Sequence, residues 1–218
     1  MSLWFLEGLP GTGKTTMAQK LCALARKSGR SAAWYLEEAV DHPVHGRELK
    51  EGRKNRDIFV KSCLDAWRRF AENSTKTNDI HILEGSAFQS TVRFMMEEQI
   101  SGIEDYYSLF EEIVSPFAAR VIYLKPKDAT EHSLLTSLLR GDVWTGKVSS
   151  YLEKTAYSKS HGLVGTSGMH YFWADYAMLC DRIVSKSTLP VKTISVEPGE
   201  WERHSTEAAD FLDLESRK

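Results

Sequence analysis

The densest chemical signal in this chain lies near its amino end, where Gly8-Leu9-Pro10-Gly11-Thr12-Gly13-Lys14-Thr15 fits the spacing G-x-x-x-x-G-K-[ST]. Glycines at that spacing let the backbone curl until successive N–H groups point inward at phosphate oxygens. A helix beginning at the lysine adds the partial positive charge of its N-terminus. Gly8 to Thr16 would then hold ATP, Lys14 would reach its β and γ phosphates, and the Thr15 hydroxyl would be a ligand for Mg2+.

Carboxylates supply the second half of a phosphoryl-transfer site. The apolar run Ile80-His81-Ile82-Leu83 ends in Glu84, which could reach the metal, orient an acceptor or take its proton. Another run, Ala32 to Leu36, leads into Glu37-Glu38 and Asp41, three carboxylates for the acceptor side. Neighbours on a strand face opposite ways, so spacing alone does not choose between Glu37 and Glu38. His42 and His45 lack a third clustered donor and read as surface histidines. Between Val121 and Asp181 the only guanidinium is Arg140, whose planar donors match the oxygens of a transferring phosphoryl group. Its competing reading is a cation at a helix C-terminus; Lys147 is a weaker substitute. The basic run Arg53-Lys54-Asn55-Arg56 reads as a solvated loop.

The elements that must position these residues follow from periodicity. Short apolar runs at Leu3 to Leu6, Ala32 to Leu36, Ile80 to Leu83, Val121 to Leu124 and Val191 to Val196 alternate with helical patterns, the order expected of βαβ units. Helical spacing joins Met17, Leu21, Leu24 and Ala25 in a helix ending near Ser28-Gly29. It also joins Phe59, Cys63, Trp67 and Phe70; Val92, Met95, Met96 and Ile100; and Tyr106, Phe110, Ile113 and Phe117. Leu134, Leu135, Leu138 and Leu139 mark a short helix; Phe172, Tyr176, Cys180 and Ile183 a long one; Ala208, Phe211 and Leu212 a last one after Pro198-Gly199. Each stripe reads as a core face. From Gly141 to Gly168 the pattern weakens into an excursion segment. The expected fold is an α/β three-layer sandwich with a mainly parallel five-stranded sheet, one domain over residues 1–218 and a helical lid around 127–168.

Composition narrows the function classes. Twenty-eight basic against thirty acidic residues leave a net charge of -2, without the basic excess of a nucleic-acid binder. No stretch approaches the length of a membrane-spanning helix, and no basic region precedes the first apolar run, so neither a membrane partner nor a secretory signal is expected. Three widely separated cysteines give neither a disulfide framework nor zinc spacing, which fits a reducing, cytoplasmic setting. Six tryptophans and several aromatic helices could supply a homodimer surface.

Leu3 to Thr16 resembles the opening of the P-loop NTPases, and the lead-in Phe5-Leu6-Glu7-Gly8 resembles their nucleoside and nucleotide kinase branch. Ile80 to Glu84 resembles the strand that ends in an acid beside the phosphate loop, and Val121 to Leu124 the following strand, after which those kinases carry an arginine-bearing lid. The resemblance implies a kinase that uses ATP and Mg2+ on a small-molecule acceptor, with Lys14, Glu37, Glu84 and Arg140 catalytic and Thr15 and Glu84 at the metal. In deoxynucleoside kinases a Glu at the end of the second strand is the base, which carries to Glu37 or Glu38. Ser86-Ala87-Phe88-Gln89 with Arg93 resembles the substrate-side helix of thymidylate-type kinases, implying that Phe88 stacks on the acceptor and that Gln89 and Arg93 hold it, beside Glu38 and Asp41. Glu84 is followed by Gly85-Ser86 where the nucleotide kinases carry Arg, which weighs against a nucleoside-monophosphate acceptor. A switch GTPase would need D-x-x-G and N-K-x-D segments, and a transporter ATPase an L-S-G-G-Q-like signature; none of these occurs.

Overall fold

The computed structural model describes residues 1–40, 42–45, 55–75 and 79–214; Asp41, Arg53 and Lys54 lie outside the described residues. The strands are β1 (Ser2–Gly8), β2 (Ala32–Tyr35), β3 (Ile80–Glu84), β4 (Arg120–Pro126) and β5 (Val191–Val196), in the order β2-β3-β1-β4-β5 with every pairing parallel. Parallel neighbours need crossovers. These run through α1 (Lys14–Lys27), α2 (Arg56–Ser74), α3 (Arg93–Glu97), α4 (Ile103–Val114), α5 (Ala129–Leu152), α6 (Ala156–His161) and α7 (Gly165–Lys186), with α8 (Trp201–Phe211) after the last strand.

Side chains alternate across each strand, so the sheet carries a core on both faces. Leu3 and Phe5 meet the aromatic residues of α2, α4 and α7, among them Trp67, Phe110, Phe172 and Tyr176. Trp4 and Leu6 meet Met17 and Leu21 of α1 and Ala208 of α8. This is the expected three-layer α/β arrangement. Register sets the site: Leu6 pairs with Glu84 and Gly8 with Leu124, so the phosphate loop and Glu84 leave the same carboxyl edge. Among the described residues, no helix is long and apolar enough to cross a membrane.

One expectation about the lid changes. The leucines 134, 135, 138 and 139 belong to a helix of 24 residues, and they face solvent: Leu138 is 77% and Leu139 85% exposed. Their stripe is therefore not a core face. The inward face of α5 is polar and buries Ser133, which bonds to His170 of α7, and Thr136, which lies against Gly11 of the loop. The excursion segment from Gly141 to Gly168 is mostly helical, because α5 continues through a kink at Gly141 and is followed by α6 and the start of α7. Thr145 bridges that kink by donating to the Gly141 carbonyl at 3.1 Å. The region is helical, as a lid was expected to be, but its packing partners are other helices and not a sheet, which removes the strong apolar period.

Candidate active site

The phosphate loop is built by glycine. Gly11 and Gly13 hold φ of 85° and 91°, left-handed values that L side chains rarely adopt, and they turn the chain into α1. No side chain caps the start of α1 and no acidic residue sits in its first turn, which leaves its N–H groups for an anion. Pro10, Gly11, Gly13, Lys14, Thr15 and Thr16 line a cavity of about 820 Å³. Gly8 and Leu9 do not line it: their carbonyls each accept from Lys14 Nζ at 3.0 Å. Leu9 sends its side chain into the core, and the Thr12 hydroxyl turns back to the Leu9 carbonyl at 2.9 Å.

The lid helix is fastened to this loop. His132 Nε2 donates to the Pro10 carbonyl at 2.9 Å, and a Cβ on Gly11 would lie 2.4 Å from Thr136 Oγ1. Gly11→Ala therefore meets both a forbidden φ and a collision, and we expect it to cost about 1–3 kcal/mol and weaken ATP binding. Differential scanning fluorimetry checks this. Adding Thr136→Gly should restore part of the loss, since it removes the collision but not the backbone strain.

Facing the loop, Glu84 Oε1 lies 3.9 Å from Lys14 Nζ, with both groups buried. Burial draws the Lys14 ammonium below its ordinary value, opposed by Glu84, Glu37 and Glu7. β2 stops at Tyr35, so Glu37 and Glu38 lie in a turn closed by the Ala39 N–H to Leu36 carbonyl bond, and both line the cavity. Strand alternation, which would point the two apart, does not apply there. Glu37 is the inner one. Its N–H approaches Glu84 Oε2 at 3.5 Å and its carboxyl accepts from Ser90 Oγ at 3.2 Å. Burial raises the Glu37 carboxyl, while Arg93 and Lys14 hold it back.

The residues expected on the acceptor side reach the wall, where they do, through an unusual turn. Phe88–Val92 form a π-helical turn that runs into α3. A π turn shifts the phase of the helix beyond it. It places Gln89 and Arg93 on the cavity and Phe88 in the core, where Phe88 is fully buried against Tyr107 and Tyr123. The stacking role expected for Phe88 is thus ruled out; Trp144, Tyr151 and Trp173 are the aromatic residues on the cavity wall. Sequence reasoning misses them because two of the three lie in the stretch whose apolar period is weak. Arg93 pairs with Glu97 at 3.6 Å, and Tyr151 donates to Glu97 at 2.6 Å. Burial pulls against the Arg93 charge, but Glu97 and Glu37 outweigh it and hold the guanidinium more firmly protonated than usual. The Arg93–Glu97 spacing of four is a visible signal in the sequence.

His42 and His45 are buried, not surface residues. His42 Nδ1 accepts the N–H groups of Val44 and His45, so its Nε2 donates to Ser86 Oγ at 3.0 Å, and His45 Nε2 donates to the Ser86 carbonyl at 2.8 Å. They pin the turn after β2 to the loop after β3. Glu7, in β1, is completely buried, and burial pushes its carboxyl up to about 8 against the pull of the Ala87 N–H and Lys14.

On the lid, Arg140 and Lys147 both line the cavity. Arg140 stacks over Trp144 at 5.1 Å from the ring centroid, immediately before the Gly141 kink. Replacing Arg140 with alanine is expected to lower turnover about 10- to 100-fold while ATP affinity falls less than threefold, the mark of an interaction made in the transition state. Steady-state kinetics with calorimetry separates the two, and parallel losses would make Arg140 a ground-state contact.

No family model and no curated protein matches this chain. Solved structures similar to it include deoxyadenosine kinase from M. mycoides with products dCMP and a flexible dCDP bound, 12% identical over 98% of this chain and 99% of that one, with a TM-score of 0.46. The same enzyme with bound dATP is 15% identical over 98% and 100%, at 0.49. The YorR protein from Bacillus subtilis in complex with phosphorylated GDP is 14% identical over 97% and 96%, also at 0.49.

Proposed function

We propose that this chain is a P-loop small-molecule kinase that transfers the γ-phosphoryl group of Mg-ATP to a hydroxyl of a nucleoside-like acceptor. One observation carries the reading: an uncapped helix N-terminus and Lys14 share a single cavity with the half-buried Glu37 and the buried Glu84 on the facing wall. The N–H groups from Gly11 to Thr16 would bind the polyphosphate, and Lys14 would neutralise its reacting end. Thr15 and Glu84, oxygen donors on the same cavity, would hold Mg2+, which would offset phosphate charge. Glu37 would take the acceptor proton as the hydroxyl oxygen bonds to the γ phosphorus and the bond to the β–γ bridging oxygen breaks, releasing ADP. Arg140 would meet the developing charge from the lid.

The experiment is an ADP-release assay with Mg-ATP against nucleosides, nucleoside monophosphates, and nucleoside and aminoglycoside-like antibiotics. Nucleosides come first because the Gly85-Ser86 that follows Glu84 weighs against a nucleoside-monophosphate acceptor. Acceptor-dependent ADP with matching phosphorylated product supports the proposal. ATP hydrolysis that no acceptor stimulates would replace it with a non-kinase NTPase.

A further inference from the structure

Glu7 takes no part in the proposed phosphoryl transfer, yet it is fully buried at the penultimate position of β1, one residue before the phosphate loop begins. Strand alternation places it on the face of Leu3 and Phe5, among aromatic rings. Tyr106, Tyr107 and Tyr176 lie close by; burial above all raises their hydroxyl pKa values, and the nearby Glu7 carboxyl adds to that. A carboxyl group is costly there unless its oxygens find donors. They find two: Oε1 accepts the Ala87 N–H at 2.9 Å and Oε2 the Phe88 N–H at 3.2 Å.

Those N–H groups open the π turn that carries Gln89 and Arg93 to the cavity, and the residue at its start, Ala87, has no side chain able to cap it. The missing cap comes from a different strand. A second tie runs alongside, from the Gly85 N–H to the Leu6 carbonyl. We propose that Glu7 is a positioning residue: its carboxyl group, delivered by the strand that leads into the phosphate loop, caps the acceptor-side turn and holds donor loop and acceptor wall in one register. This role rests on the kinase reading for its purpose, but not for its test.

The test is Glu7→Gln, which keeps size and burial but offers one acceptor oxygen, with its NH2 turned against the other backbone N–H. Amide hydrogen exchange at Ala87 and Phe88 should quicken at least tenfold in one or both, with β5 within twofold of the parent and the Mg-ATP Kd within threefold. Ile194→Ala, a core truncation on the opposite face of the sheet, is the control for general loosening and should quicken exchange broadly. Glu7→Asp, which keeps the carboxyl group on a shorter stem, should fall between parent and Gln, and it serves if the Gln variant does not fold. Unchanged exchange at 87 and 88, or loss spread over the sheet as in Ile194→Ala, overturns the proposal. With deoxyadenosine as acceptor probe, Glu7→Gln should raise KM at least fivefold with a smaller change in kcat. If the parent protein transfers nothing to deoxyadenosine or to the rest of the panel, the kinase reading fails, while exchange and Mg-ATP binding still decide the capping role.

Discussion

Replacing Lys14 by methionine is expected to lower phosphoryl transfer by about 10³-fold and to leave the fold in place. The side chain is not peripheral, as a loop lysine might be expected to be: it is 5% exposed, and its ammonium bonds to the carbonyls of Gly8 and Leu9 while facing Glu84. Methionine keeps the buried stem and removes a charge that burial already disfavours, so the stability change should be small. The transferring group loses its cation on the loop side, and no other described lysine or arginine lies within the loop itself. Circular dichroism and the ADP-release assay check the two halves of the claim. Turnover within tenfold of the parent would remove the phosphate loop from the mechanism and with it the proposed function.

Glu37→Gln is expected to lower kcat/KM about 10²- to 10⁴-fold with the Mg-ATP Kd unchanged within twofold, since the group acts on the acceptor proton. Its pH signature is specific. Burial holds the carboxyl above the ordinary carboxylate range, so the basic form exists only above that raised pKa, and the rate falls as pH drops through it. Arg93 is the strongest of the influences keeping Glu37 ionised, so Arg93→Met should move this acid limb to higher pH. In Glu37→Gln the limb should vanish. Were it to persist there and vanish in Glu84→Gln, Glu84 would be the base and Glu37 a positioning group, an exchange their proximity allows.

The parts legible in advance are those set by neighbours in the chain. The phosphate loop is one: eight residues whose backbone freedom and N–H directions are fixed by local glycines and by the helix after them. The inner strands β3, β1 and β4 are likewise readable, because a strand buried on both faces is a nearly continuous apolar run bounded by polar turns, and the edge strands β2 and β5 by their aromatic and β-branched residues. The lid is the opposite case. Leu138 and Leu139 have the spacing of a core face and lie in water, while Ser133 and Thr136 are buried, because the partners they meet are His170 of another helix and the close-packed Gly11 of the loop.

The sequence by itself determined a glycine-built loop running into a helix N-terminus on a parallel α/β sheet, since both depend on short-range conformation and on apolar period. Only the tertiary structure decided which groups share its cavity. Sheet register brings Glu84 level with Leu6, the end of β2 one residue early puts both Glu37 and Glu38 on the cavity wall, and a π turn swaps Phe88 into the core and Arg93 onto the wall. Those outcomes depend on contacts between segments some 50 to 80 positions apart in the chain, as the Glu7 bonds to Ala87 and Phe88 and the Ser90 bond to Glu37 display. The period of a single segment carries no record of what another will place against it.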